Sequence, residues 1–391
     1  MNILQIVPFF TPERGGCAVV PYYLTKHLLR LGHNVVVCTT DFRMTEISFQ
    51  MPEKMPIEVF PCVRNIGGLL ISPDMGIWLQ RNAKGFDLIH MHDSRTYQNV
   101  LSYKVAKKHR IPYLFHAHGT LPRRTGKRLL KWVYDVAFGY RILRNVSKAI
   151  ALSDVEAHLY EEMKVPRERI TIVPNGVDLD EYANLPSRGG FAERYLNDDN
   201  ARFILYLGRL HKTKGLDFLV KGFAIFAKRN ENARLVIAGP DDGYLGALKK
   251  ITNQAGVNKK VVFTGKLTEY DKKSAMVDST LVAYLGCYEP FGLVPLEAAL
   301  CCRPVVVCSN TPMARIVQDG MFGFTVDYGN VTQLATIMQR LFSDDSYAGA
   351  LGHKGRTYVR ERYDWKKIAR KVESIYGEIL GICSTQGKIE N

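Results

Sequence analysis

Two carboxylates, Glu289 and Glu297, stand eight positions apart in "CYEPFGLVPLEAALC", residues 287–301. Pro290, Gly292 and Pro295 oppose one helix through the whole stretch. The spacing predicts a loop that enters a helix near Pro295, since proline is tolerated in a first helical turn. Glu297 then falls in that turn, Glu289 precedes it, and backbone N–H groups between them point outward as in an anion site. Upstream, "YLGRLHKTKGLD" releases Arg209 from a strand end and sets Lys214 beside Gly215 and a helix start. Two cations there suit a diphosphate; a solvated basic loop is the plainer alternative.

Other strand ends carry weaker signals. Gly15 and Gly16 in "TPERGGCAVV" let a backbone approach a phosphate or sugar, or simply form a tight turn. They make no G-x-G-x-x-G pattern, so a dinucleotide site has little support. In "LFHAHGTLP", His116 and His118 alternate, one expected to face the sheet and the other the cleft, and His118 before Gly119 is the better site candidate. His90 and His92 in "LIHMHDS" bring a metal to mind, but the spacing fits no zinc pattern, so no metal is expected. "IVPNGVDLDEY" reads as a bend between domains.

These residues need a scaffold. Apolar, β-branched runs recur at 3–8, 35–39, 57–60, 88–92, 113–116, 149–152 and 171–173, then at 203–207, 235–238, 261–264, 281–285 and 305–308. Amphipathic stretches such as "LDFLVKGFAIFAKRN" and "VTQLATIMQRLF" separate most of them. Unbroken apolar strands alternating with helices predict an α/β protein of two doubly wound parallel sheets. The reading places domain one at 1–183, a Gly/Asn/Asp/Pro-rich linker at 184–200, domain two at 201–363 and a last helix in 364–391. Ligands of such sheets bind beyond the C-terminal strand ends, so the expected site is the cleft between domains.

Taken in order, the Gly pair, His-Gly, PNGVD, Arg…Lys-Gly and E-x7-E resemble the retaining glycosyltransferases of family 4, over nearly the whole chain. The resemblance implies the GT-B fold and a nucleotide-diphosphate sugar donor, UDP- or GDP-linked, with no metal or other cofactor. It implies that Glu297 binds the ribose and Glu289 the transferred sugar. The N–H groups of Phe291, Gly292 and Leu293 hold the sugar and diphosphate, and Arg209 and Lys214 neutralise the leaving group. Gly16 approaches the donor from the other domain, His118 sits by the sugar, and the base lies near Gly265, Lys266 and Leu267. The final helix is expected to cross back to domain one. Cys302 replaces a usual glycine and Arg315 a frequent acid, and both are expected to reshape the donor pocket.

The charge narrows the partners. Of the net +15, residues 101–150 carry twelve Lys/Arg against Asp135 alone, and residues 151–200 carry a net −6. An anionic membrane is the expected partner, through "LPRRTGKRLLKWVYDVAFGYRILRNVSK", whose apolar residues Leu129, Trp132, Val133, Val136, Leu143 and Val146 read as core-packed. Nucleic acid is not expected, since no motif accompanies the charge. No apolar run is long enough to span a bilayer. Eight cysteines without a C-x-x-C pair predict buried free thiols and a cytoplasmic protein. The expected activity is transfer of a hexose-type sugar to a lipid-linked glycan or glycolipid in polysaccharide assembly. A nucleotide-sugar epimerase and a non-catalytic basic scaffold are the alternatives, both opposed by the full set of Arg209, Lys214, Glu289 and Glu297.

Overall fold

The computed structural model describes residues 1–10, 16–42, 55–123 and 126–382. Gly15, named above, and Arg124, within the basic segment quoted above, lie outside the described residues. The chain forms two units: Met1–Gly176 with Trp365–Asn391, and Val177–Asp364.

In the first unit the main sheet uses β1 (Asn2–Phe9), β2 (Asn34–Thr40), β3 (Ile57–Phe60), β6 (Leu88–His92), β7 (Tyr113–His116), β8 (Lys148–Ala151) and β9 (Ile170–Ile172). Their order is β3-β2-β1-β6-β7-β8-β9, every pair parallel. A short antiparallel pair, β4 (Arg64–Ile66) and β5 (Leu69–Ile71), stands apart from it. Strand order reverses between β1 and β6, the place where sheets of this kind bind ligands beyond their C-terminal strand ends. The helix Trp365–Leu380 belongs to this unit: Trp365, Ile368, Val372 and Ile375 pack with Ile3, Val35 and Leu114. Its first residue explains the Asn-Gly bend, because a Cβ on Gly176 would meet the Trp365 ring at 2.9 Å.

The second unit's sheet contains β10 (Phe203–Leu207), β11 (Arg234–Ala238), β12 (Val261–Gly265), β13 (Leu281–Tyr284), β14 (Val305–Cys308) and β15 (Gly323–Val326), in the order β12-β11-β10-β13-β14-β15 and again all parallel. Its reversal lies between β10 and β13. Helices Leu216–Ala227 and Val331–Ser343 pack together tightly enough that a Cβ on Gly222 would meet Leu334 at 2.6 Å.

Three expectations change. Residues 184–200 are no free linker: they hold the helix Gly190–Leu196, whose Phe191 is buried at 5.6 Å from the Phe203 ring. Asp278 accepts hydrogen bonds from the N–H groups of Gly189, Phe191 and Ala192, at 2.6, 2.8 and 3.1 Å, and so caps this helix start. The unit begins at Val177, not at 201.

The basic segment is the second correction. It runs as helix Arg128–Tyr134, a π-helical turn Asp135–Gly139 and helix Tyr140–Arg144. The buried face is Tyr134, Asp135, Gly139, Ile142 and Leu143. Asp135 there accepts from Arg95 at 2.9 and 3.0 Å and from Arg123 at 2.6 Å. Val146 and Leu143 are core, but Leu129, Trp132, Val133 and Val136 are 71, 50, 49 and 56% exposed, joined by exposed Leu130 and Phe138. A buried charge with two guanidinium partners anchors the inner face, and the apolar stripe is left outside.

The third concerns Cys302, whose place is set by its backbone conformation. It sits at the C-terminal end of the helix Val294–Leu300 with φ +56°, the left-handed conformation that suits the glycine it replaces. Its neighbours are His353 and Arg356, at 3.6 and 3.7 Å from the sulfur. Arg315 lies on the exposed side of helix Pro312–Asp319, 3.8 Å from Asp319. The described free thiols are Cys38, Cys301 and Cys308, buried, and Cys62, Cys287 and Cys302, partly so.

Candidate functional site

In the second unit, the expected donor residues gather at the C-terminal ends of strands on both sides of the reversal. Arg209 and Lys214 follow β10, Lys266 and Leu267 follow β12, and Glu289 to Glu297 follow β13. Lys214 closes a short 3-10 turn, Lys212–Lys214, and Gly215 turns the chain into the next helix at φ +68°. A side chain at Gly215 would collide with the Leu285 carbonyl, so the β10 loop lies directly against the end of β13. Lys214 Nζ thereby reaches Glu289 Oε1 in a close ion pair, with both side chains largely buried. The other Glu289 oxygen accepts from the Tyr284 hydroxyl at 2.9 Å, and burial first, then Glu289, pushes that phenol's pKa far up. Tyr284 therefore stays a neutral donor.

Gly292 is held at φ +90°, where a Cβ would press on the Tyr284 ring at 2.7 Å. Phe291 is buried and Leu293 leads into the helix Val294–Leu300, whose first turn contains Pro295. Glu297, in that helix, accepts from Lys272 at 3.2 Å. Burial opposes the Lys272 charge, but Glu297 and Glu269 more than offset it and raise the ammonium's pKa. Arg209 is 60% exposed and paired with Asp242 at 2.6 Å. The result is one cation fixed by a carboxylate, a second held at the surface by Asp242, and a second carboxylate in the adjoining helix. Tyr284, Lys272 and Asp242 carried no sequence signal, because only the fold brings them to these partners.

In the first unit the helix Gly16–Arg30 starts beyond β1, and the histidines collect at the ends of β6 and β7. Alternation does not separate His116 from His118. His118 has φ +52° and Gly119 φ +79°, and Thr120 N–H donates to Ala117 O at 3.0 Å, forming a tight turn that folds the His118 ring back. The rings of His116 and His118 then lie 3.8 Å apart, those of His90 and His92 4.0 Å, and those of His92 and His118 5.1 Å. Glu156 clamps the turn, accepting from Gly119 N–H at 2.6 Å and Leu152 N–H at 2.7 Å. His90, His92 and His116 place ring nitrogens within 4.8 Å of one another. Of these, His90 Nδ1 is engaged by the Tyr376 hydroxyl, and His92 by His118 and Gln5.

Burial is the main cause that lowers all four imidazoles, with neighbouring histidines adding to it at His90, His92 and His116, and His118 is pushed down to about 3. Burial also lifts Glu156 to about 7 against the pull of its two N–H donors. Unfolding at acid pH therefore takes up four histidine protons below about pH 6.5, while Glu156 opposes this by one between about 4.5 and 7. Stability from the cluster is complete above pH 7 and is lost as pH falls, by about 4 kcal/mol per pH unit near pH 5.5. Urea unfolding at pH 7.5, 6.5 and 5.5 measures it; equal stability at all three would show that the stack is not buried and neutral.

Both halves of the chain match models of one family: residues 14–181 match Glycosyltransferase Family 4 and residues 191–375 match Glycosyl transferases group 1. An uncharacterized glycosyltransferase of Methanocaldococcus jannaschii is 26% identical, covering 96% of this chain and 98% of its own. A GDP-mannose:cellobiosyl-diphosphopolyprenol alpha-mannosyltransferase of Komagataeibacter xylinus is 23% identical over 97% and 94%. Among solved structures, Anabaena Alr3699/HepE in complex with UDP and glucose has the same fold, with a TM-score of 0.80 at 20% identity over 97% of this chain and 100% of HepE. Two parallel doubly wound sheets, a cation–carboxylate crevice at the reversal of the second, and family matches to both halves lead to one assignment: the chain is a GT-B-fold glycosyltransferase of family 4, group 1.

Proposed function

We propose that the protein is a retaining hexosyltransferase that uses a UDP- or GDP-linked sugar, works without a metal ion and delivers the sugar to a lipid-linked glycan or glycolipid. The observation that carries this reading is Lys214 held against Glu289 at the strand-order reversal, with Arg209 beside it. On donor binding, Lys214 and Arg209 meet the diphosphate. Glu289 takes sugar hydroxyls, and Glu297 takes the ribose diol. The N–H groups of Phe291, Gly292 and Leu293 face the sugar and phosphates, and Lys266 and Leu267 border the base. His118 stands at the sugar.

In the step itself the bond from C1 to the diphosphate oxygen breaks, and the acceptor oxygen bonds C1 on the same face. The acceptor's proton passes to the departing phosphate oxygen, so no protein base is required. Charge builds on the diphosphate, where preorganised cations stabilise it most.

The acceptor class is supported by the surface of the first unit. Exposed Leu129, Leu130, Trp132, Val133, Val136 and Phe138 are interleaved with exposed Lys127, Arg128, Arg141 and Arg144. Lys127 Nζ donates to Gly67 O at 3.0 Å and Leu130 lies 3.6 Å from where a Gly67 side chain would begin, so the β4–β5 pair extends the patch with exposed Val63 and Ile66. Apolar side chains beside cations fit the interface of an anionic membrane, each cation adding about 1 kcal/mol. No described helix is long and apolar enough to cross one. A place at the inner face of the cell membrane, in polysaccharide assembly, follows from this reading and from the diphosphopolyprenol acceptor in the K. xylinus relative's name.

Two outcomes are expected. With a cognate donor and acceptor, NMR of the product shows the donor's anomeric configuration, the rate is unchanged in EDTA, and Lys214→Ala lowers kcat/KM about 100- to 1000-fold. An inverted product or a chelator-sensitive rate refutes the reading. In sedimentation with vesicles, the protein binds those containing anionic lipid, and a Trp132→Ser/Val133→Ser/Val136→Ser variant binds at least tenfold more weakly at unchanged stability. Equal binding by the variant refutes insertion.

A further inference from the structure

Gln5, His92 and His118 form a chain from β1 through β6 to the turn after β7. Gln5, in β1, is fully buried and its Oε1 lies 3.1 Å from His92 Nε2. His92 Nδ1 lies 2.8 Å from His118 Nε2. The remaining His118 nitrogen, Nδ1, is buried and makes no hydrogen bond within the protein. The flanking rings hold these planes in place, His90 against His92 and His116 against His118, and His90 is itself fixed by the Tyr376 hydroxyl at 2.7 Å.

We infer that Gln5 and His92 are positioning residues that fix the tautomer of His118, so that His118 offers an unprotonated Nδ1 to the substrate. The order follows from donors and acceptors. An amide oxygen only accepts, so His92 Nε2 carries the proton facing Gln5. A neutral imidazole then has a lone pair on Nδ1, which accepts from His118, and this puts the His118 proton on Nε2. What remains at His118 Nδ1 is an acceptor. It recognises a group that donates, as a sugar hydroxyl does and a phosphate oxygen does not. Turning the Gln5 amide over reverses every proton in the chain and makes Nδ1 a donor, so the two assignments are opposite and measurable.

This inference rests on the placing of His118 at the sugar proposed above, and two measurements separate the two claims. The first uses the full-length protein with 15N-labelled histidine at pH 7.5, where two-bond nitrogen–proton correlations reveal the tautomer of each ring. Both His92 and His118 are expected in the Nε2–H form; an Nδ1–H signal from His118 overturns the inference. The second compares His92→Asn with His92→Leu. Both lose the buried ring, but the Asn oxygen stands where Nδ1 was and still accepts from His118. His92→Asn is expected to keep kcat within about tenfold of the parent, while His92→Leu falls about 100-fold or more with little change in donor KM. Equal losses in two variants of equal stability mean a structural role only and overturn it. Full activity in His118→Ala would refute the placing of His118 at the sugar, and the NMR result would still decide the tautomer.

Discussion

The ion pair of Lys214 with Glu289 is the interaction on which the donor unit's arrangement turns. It exists because a parallel sheet whose strand order reverses must separate the loops of two neighbouring strands, here β10 and β13. Gly215, pressed on the Leu285 carbonyl, brings those loops back into contact, and Gly292, pressed on the Tyr284 ring, folds the second loop over the pair. Each glycine stands where a side chain would displace backbone or an aromatic ring, so neither loop has another place to go. A largely buried ammonium and carboxylate are stable there only as partners. In the function proposed above, the donor's diphosphate draws Lys214 away because it offers more negative charge in the same place.

The first unit solves a different problem. Four neutral imidazoles stack at the ends of its strands β6 and β7. Removing them from water costs less than burying ions would, and leaves ring nitrogens as directional donors and acceptors. Glu156 holds the left-handed turn at His118 and Gly119 from the far side. The pattern that results is polar, preorganised and pH-sensitive.

Much of this was legible in the chain. Every long apolar run became a strand, because a strand covered on both faces needs no alternation, and the family's loop residues sit at those strand ends. What was missed is instructive. β15 begins at a glycine and has four residues, and β4 is exposed, so neither carries a hydrophobic signal. The helix at 190–196 reads as linker because its caps and its core contact, Asp278 and Phe203, are distant in sequence. The stripe from Leu129 to Val136 has helical spacing, but spacing alone does not say which face is inward. Asp135, a charge, marks the buried side, against ordinary expectation, because Arg95 and Arg123 meet it there. His116 and His118 stay together because residues two apart along a strand point the same way, and the positive φ at His118 folds its ring back onto His116.

The most direct measurement of the central claim is thermal stability of the protein with UDP-, GDP-, ADP- and dTDP-sugars, without added metal. A donor at a hundred times its dissociation constant adds about 2.7 kcal/mol to the folded state. The account predicts that one nucleotide class raises the melting temperature and that Glu297→Ala abolishes the shift. No shift from any donor, or an undiminished shift in Glu297→Ala, would contradict it.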